Sequence, residues 1–150
     1  MLDFKNNWRR LSSPVLTAEA RDVLFLLIHN KLPVRERLFR IGLVVDPYCV
    51  VCPGGVVGDV EHFFCSCSRV EFVWSWVRSR LLELLGNNSH ISNWELINLC
   101  LPGTRFEKEA VWLVGTHVAE VWSAIFSRGG SLMKSDKFFG FLKFKYKASQ

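Results

Sequence analysis

Residues 46–86 read DPYCVVCPGGVVGDVEHFFCSCSRVEFVWSWVRSRLLELLG. The second half is helical in pattern. Val70, Val73, Trp74, Val77, Leu81, Leu84 and Leu85 recur at 3.6-residue spacing, and Gly86-Asn87-Asn88 stops the run. The spacing predicts a helix from about Arg69 to Leu85. The first half follows neither the helical nor the strand period. Asp46-Pro47 and Pro53-Gly54-Gly55 frame an irregular loop that holds four of the five cysteines, Cys49, Cys52, Cys65 and Cys67, with His62 among them.

Working outward, the flanks are also helical. Ser12-Ser13-Pro14 is a turn, after which Thr17 is an N-cap and Glu19 meets the helix dipole. Leu24, Leu27 and Ile28 form an apolar stripe, and Pro33 bars its continuation beyond Asn30. A short helix from Val34 to Arg40 places Leu38 inward and turns Arg35, Arg37 and Arg40 mostly outward, ending at Gly42. After the cysteine loop and its helix, Trp94 to Leu99 is a brief helical piece. Val111, Val114, Val118, Val121, Trp122 and Ile125 then mark one buried face from about Glu107 to Phe126. Strand alternation is nearly absent. The expected fold is all-α, mostly helical, with an irregular metal-binding loop insert in a single domain spanning 1–150.

Composition narrows the class. With 49% hydrophobic and 22% charged residues in 150, the chain is too apolar for disorder and long enough for one packed domain. The longest apolar run, Val23 to Ile28, is far short of a membrane span. Met1 to Asn7 lacks the charged start and apolar stretch of a signal peptide, so the expectation is an intracellular protein, nucleus and cytoplasm being left open. Twelve Phe and six Trp exceed what a core of this size needs, which leaves aromatic rings for a partner. Five cysteines, an odd number, argue against a disulfide framework.

The cysteines instead have metal spacing. Cys49 and Cys52 in a tight turn can aim both sulfurs at one ion, and His62 and Cys67 complete C-x2-C-x9-H-x4-C. This Cys₃His set suits one tetrahedral structural Zn²⁺. Cys65 is the rival fourth ligand. In regular helix, His62 and Cys65 share a face, whereas a turn there lets Cys67 reach the metal. Local geometry leaves both open. A redox C-x-x-C would want a helix starting at the motif, where Pro53-Gly54-Gly55 stands. A zinc deaminase needs H-x-E and P-C-x-x-C, which His29-Asn30-Lys31 and Pro47-Tyr48-Cys49 spoil. A set filled by four protein ligands leaves no open position for an activated water, and no nucleophile–base constellation occurs elsewhere. The chain reads as non-catalytic, with no small-molecule substrate. Neither His90 nor His117 reads as a ligand, the latter being satisfied by packing and a hydrogen bond; His29 caps its helix.

Charge is divided unevenly. Residues 1–40 carry a net +4, residues 41–127 a net −4, and the tail from Arg128 a net +5. Basic ends are the electrostatic footprint of a nucleic-acid binder. The candidate contacts are Arg9 and Arg10, then Lys31, Arg35, Arg37 and Arg40, then Lys134, Lys137, Lys143, Lys145 and Lys147. In the last group lysines alternate with Phe138, Phe139, Phe141, Phe144 and Tyr146, a pattern that either packs on the domain or stacks on bases.

Taken together, residues 21–77 resemble the zinc-binding domain that follows the reverse transcriptase in non-LTR (LINE-type) retrotransposon polyproteins. The resemblance rests on His29-Asn30-Lys31-Leu32-Pro33, then Arg35-Glu36-Arg37-Leu38, the C-x-x-C, H-x-F-x-x-C and the tryptophan helix, in that order. The family spacing favours Cys67 over Cys65. One departure is Gly58, where the family usually has Glu four residues before the ligand His, with Asp59 and Glu61 nearby. Residues 87–150 add a C-terminal helical extension with the basic, aromatic tail. The resemblance implies a zinc-stabilised module, from a polyprotein or a host-encoded descendant, that helps hold RNA or DNA during reverse transcription. It implies no catalysis, and no Asp-Asp pair of the kind a polymerase needs occurs in the chain. The alternative is a protein–protein module whose aromatic surface docks on a polymerase domain or a host protein. No membrane partner is expected.

Overall fold

The computed structural model describes residues 4–86 and 90–127. Six α-helices follow one another: α1 (Phe4–Leu11), α2 (Ala18–Ile28), α3 (Arg35–Arg40), α4 (Glu71–Leu84), α5 (Asn93–Ile97) and α6 (Glu107–Trp122). Two π-helical turns interrupt this series, His62–Ser66 ahead of α4 and Ser123–Ser127 continuing α6. Among the described residues there is no strand, only one isolated antiparallel bridge between Tyr48 and Val57. The described part is thus mostly helical, with the cysteines and His62 gathered around an irregular loop. None of its helices is long and apolar enough to cross a membrane.

The core forms around α6, which packs against α2 on one side and α4 on the other. Its inward face is Ala110, Val111, Leu113, Val114, Gly115, His117, Val118, Ala119 and Val121. Gly115 leaves room for the Leu16 side chain just ahead of α2, since a Cβ there would sit 2.3 Å from Leu16 Cδ2 but only in ordinary contact, 3.4 Å, with Ala20 Cβ. All seven apolar residues of the Val70–Leu85 pattern are buried. Helix ends follow the local chemistry. Thr17 caps α2 by accepting the Ala20 N–H at 3.1 Å, and Ser92 and Glu95 form a capping box on α5. At the end of α2, Asn30 turns left-handed (φ 55°), and the Asn30 and Lys31 N–H groups return to Leu27 O and Leu26 O. This closes the helix in a Schellman motif ahead of Pro33.

Three local expectations change. The described α4 is shorter than the pattern suggested, because Val70 (φ −126°) stands outside helical geometry. The piece expected from Trp94 to Leu99 ends at Ile97, since Leu99 adopts φ 60°. The helix expected to reach Phe126 widens into a π-helical turn after Trp122. Helix α1 has no counterpart in the pattern reading. Its buried face is mostly polar: Asn7 donates to Asn98 O at 3.0 Å, and Arg10 donates to Leu99 O and Leu101 O, both at 2.7 Å. The expected segment Asp136–Lys147 lies outside the described residues.

Candidate metal centre

The loop is built from both ends. Cys49 N–H donates to Val56 O at 2.7 Å and Gly58 N–H to Pro47 O at 2.8 Å, so two short extended pieces run antiparallel. Gly54 and Gly55, with φ of 88° and 70°, reverse the chain between them. This returns Cys52 to Cys49, and the Cys52 N–H points at Cys49 Sγ at 3.5 Å. Helix α3 clasps the outside. The Glu36 N–H bonds Gly58 O at 3.0 Å, and the Arg35 guanidinium holds Asp46 through its carbonyl (3.1 Å) and carboxylate (3.4 Å). Gly58, the departure from the family pattern, has a steric reason. A Cβ there would lie 2.9 Å from Arg35 Cβ.

The second half of the site comes from the π-helical turn. The Cys67 N–H bonds His62 O at 2.7 Å, a link between residues five apart rather than four. One widened turn therefore carries the chain from His62 to Cys67, which leaves the turn in extended conformation. Cys65, which would share the face of His62 in regular helix, is rotated away into the core. Asp59 accepts the His62 N–H at 2.8 Å. Glu61 accepts the Ser66 hydroxyl at 2.7 Å and the Asn93 amide at 3.2 Å. Asn93 in turn accepts from Trp74 Nε1 and Arg78, each at 2.9 Å. Acids at 59 and 61 thus brace the turn from both sides, a role that spacing alone did not reveal.

One ligand atom from each of Cys49, Cys52, His62 and Cys67 lies within 4.8 Å of the others. The Sγ–Sγ separations are 3.9 Å for Cys49 and Cys67 and 3.8 Å for Cys52 and Cys67. Sulfurs placed tetrahedrally about 2.3 Å from one zinc ion stand about 3.8 Å apart, so the spacing fits. His62 Nε2 is buried with no hydrogen-bond partner, the condition of an imidazole nitrogen kept for a metal. Three thiolates and a divalent ion sum to one negative charge. Arg69 answers it, with Nε 3.2 Å from Cys67 Sγ. The Ser68 hydroxyl at 3.4 Å and the Ser68 N–H at 3.3 Å bring the Cys52 thiol down to about 6, outweighing the effect of burial. At Cys67 burial prevails over Arg69 and pushes the thiol up. Burial pushes Cys65 up much further, with Glu61 adding to it, so that sulfur stays a protonated, packed thiol. Cys100 lies far from the cluster beside Asn7.

Residues 4–74 match the family described as zinc-binding in reverse transcriptase. This stretch is a reverse transcriptase zinc-binding domain. It takes in α1 and stops partway along α4. No curated protein and no solved structure matches the chain. Family and geometry together give the zinc-binding domain one structural zinc, and such a domain is an accessory to the catalytic part of a reverse transcriptase.

The basic residues singled out in the sequence divide by location. Arg10 is not a surface residue. It is buried against Glu107 and two carbonyls and is withdrawn as a nucleic-acid contact. Arg35 is occupied by Asp46. Arg9 is exposed and pairs with Glu107 at 2.9 Å. Lys31 and Arg40 are exposed and Arg37 half-buried, Arg37 donating to Asn30 O at 3.3 Å and Arg40 pairing with Glu36 within the helix. Lys134, Lys137, Lys143, Lys145 and Lys147 lie outside the described residues. Of the other histidines, His29 Nδ1 sits 2.9 Å from Phe25 O at the end of α2, and His117 is enclosed in the core.

Proposed function

We propose that the chain is a non-catalytic, zinc-held module that binds RNA or DNA in support of reverse transcription, as part of a non-LTR retrotransposon polyprotein or a host-encoded derivative. The observation that carries this reading is the state of α3. None of its residues is buried, so the core does not account for it. It is fastened instead to the zinc loop through Gly58 O and Asp46, and it presents Arg37 and Arg40 beside Lys31. A metal-held basic corner of this kind suits a polyanion. The test is binding of the zinc-loaded chain to RNA and DNA across a salt series. The expected result is an affinity that falls steeply with salt as counterions are released. Binding that ignores salt, or none at low salt, overturns it.

A second reading is favoured by one observation. Leu43, Val45 and Val50 on the α3–zinc-loop side are 70%, 90% and 76% exposed. The exposed surface there is mainly aliphatic, with Phe39 and Tyr48 also exposed, and it suits docking on a polymerase domain or a host protein. Val45→Asp with Val50→Asp would abolish that docking while leaving zinc content unchanged.

A further inference from the structure

Trp8 of α1, Phe25 of α2 and His29, which caps α2, form a cluster of three rings at the protein surface. The Phe25 and His29 rings stack at 4.3 Å with 27° between planes, and Trp8 meets His29 at 5.2 Å and Phe25 at 5.8 Å. Trp8 keeps 47% and Phe25 42% of its surface in water. Mutual packing therefore leaves much ring area open to solvent.

Two cations stand at the turn next to His29. Lys31 follows His29 by two residues, in the turn that closes α2. Arg37 reaches across from α3 to bond Asn30 O at 3.3 Å, which sets its guanidinium beside the same turn. Asp22, exposed one helical turn before Phe25, bounds the patch on its acidic side. Aromatic faces bordered by a lysine and an arginine match a chain of bases on a phosphate backbone better than an apolar protein surface. Rings can stack only on bases that are not already paired.

We propose that Trp8, Phe25 and His29 form a stacking platform for single-stranded nucleic acid, with Lys31 and Arg37 contacting its phosphates. This rests on the nucleic-acid reading above and names the strand form and the residues. Phosphate contact makes affinity salt-dependent, whereas stacking makes it depend on unpaired bases and little on salt.

The experiment measures fluorescence anisotropy of the zinc-loaded full chain with labelled single-stranded RNA, single-stranded DNA and the corresponding duplexes, each over a salt series. Single strands should bind more tightly than duplexes. Trp8→Ala and Phe25→Ala should each weaken single-strand binding about tenfold, with the salt slope and zinc content unchanged. Trp8→Phe should retain most of the affinity. Lys31→Ala and Arg37→Ala should each reduce the slope of log affinity against log salt by about 0.7. If Trp8→Ala and Phe25→Ala bind like the parent while Lys31→Ala and Arg37→Ala weaken, the platform is wrong and the nucleic-acid reading survives. Equal loss in Trp8→Ala and Trp8→Phe also overturns the platform. Absence of binding to every probe at low salt overturns both readings.

Discussion

His117 Nε2 lies 2.7 Å from Phe64 O, joining the centre of α6 to the π-helical turn that presents two of the four zinc ligands. A carbonyl only accepts, so Nε2 carries the proton and Nδ1 is bare; Nδ1 is also buried without a partner. Trp122 also meets the Phe63 ring of that turn in a tilted contact, 5.6 Å between centroids and 57° between planes. The turn is therefore held by a helix that begins well beyond residue 74, where the family match ends. His117→Phe keeps the volume but leaves the Phe64 carbonyl unpaired, which should cost about 2 kcal/mol. His117→Gln can still place an N–H on Phe64 O and should recover most of that. Denaturant unfolding of zinc-loaded protein, with zinc competition by a chromophoric chelator, checks both; equal loss in the two variants would count against the bond.

The same bond gives a pH dependence with a definite sign. Burial drives the His117 imidazole from its ordinary 6.5 down to about 4, more than the Phe64 bond raises it. Below pH 6.5 the unfolded chain takes up a proton that the folded chain refuses. The stability linked to this group is complete above 6.5 and falls by up to about 1.4 kcal/mol per pH unit as pH drops toward 4. The zinc ligands also protonate in acid, so the informative quantity is the difference from His117→Gln. The parent's advantage over His117→Gln should fall across this window and reverse in sign toward pH 5, measured by unfolding at pH 7, 6 and 5.

How much of this was legible depended on where apolar residues fell. Val70 to Leu85 could be read because one face of α4 is uniformly apolar and the protein buries that face. Helix α1 could not, since FKNNWRRL presents Asn7 and Arg10 to the interior, and their carbonyl partners lie about ninety residues away in sequence. Two of the four ligand positions were fixed by C-x-x-C. The resemblance favoured Cys67 over Cys65, but the physical reason is an i to i+5 hydrogen bond, and side-chain spacing alone does not separate a π-helical turn from an α-helical one. The exposed ring cluster was invisible because its members come from two helices.

Gly58 is the junction of α3 and the zinc loop, where backbone meets side chain too closely for a Cβ. Gly58→Ala places a methyl 2.9 Å from Arg35 Cβ, an atom fixed to the helix backbone that cannot swing aside. Relief requires α3 to move off the loop, weakening the Glu36 N–H bond to Gly58 O. The expected loss is about 1–3 kcal/mol, with faster exchange of the Glu36 amide. Hydrogen exchange by NMR gives the readout; an unchanged Glu36 amide would show that α3 is not anchored there.

Arg9 and Arg10 are neighbours with opposite roles. Arg10→Ala strands the Leu99 and Leu101 carbonyls, and Leu99 already holds a left-handed conformation. It also removes the closer of the two cations on Glu107. Burial alone would raise that carboxyl, but the Arg10 hydrogen bond and both arginine charges hold it below the usual range. Arg10→Ala should cost about 3 kcal/mol, Arg9→Ala no more than about 0.5 kcal/mol. Thermal unfolding of the two variants side by side decides it, and comparable losses would refute the buried role of Arg10.

Cys65 and Cys67 differ by two positions and by one turn geometry, and the difference can be weighed in zinc. Cys67→Ala removes a sulfur that stands 3.8–3.9 Å from both Cys49 and Cys52, leaving three ligands and an uncompensated Arg69. Metal affinity should fall far enough for dialysis against a mild chelator to strip the protein. Cys65→Ala removes only a packed thiol, costing on the order of 1 kcal/mol and retaining about one zinc per chain. Elemental analysis after dialysis reads the result directly, and cobalt substitution adds the thiolate charge-transfer band, reduced in Cys67→Ala and intact in Cys65→Ala. A loss of metal in Cys65→Ala with retention in Cys67→Ala would mean that the turn is α-helical in solution and that His62 pairs with the other cysteine.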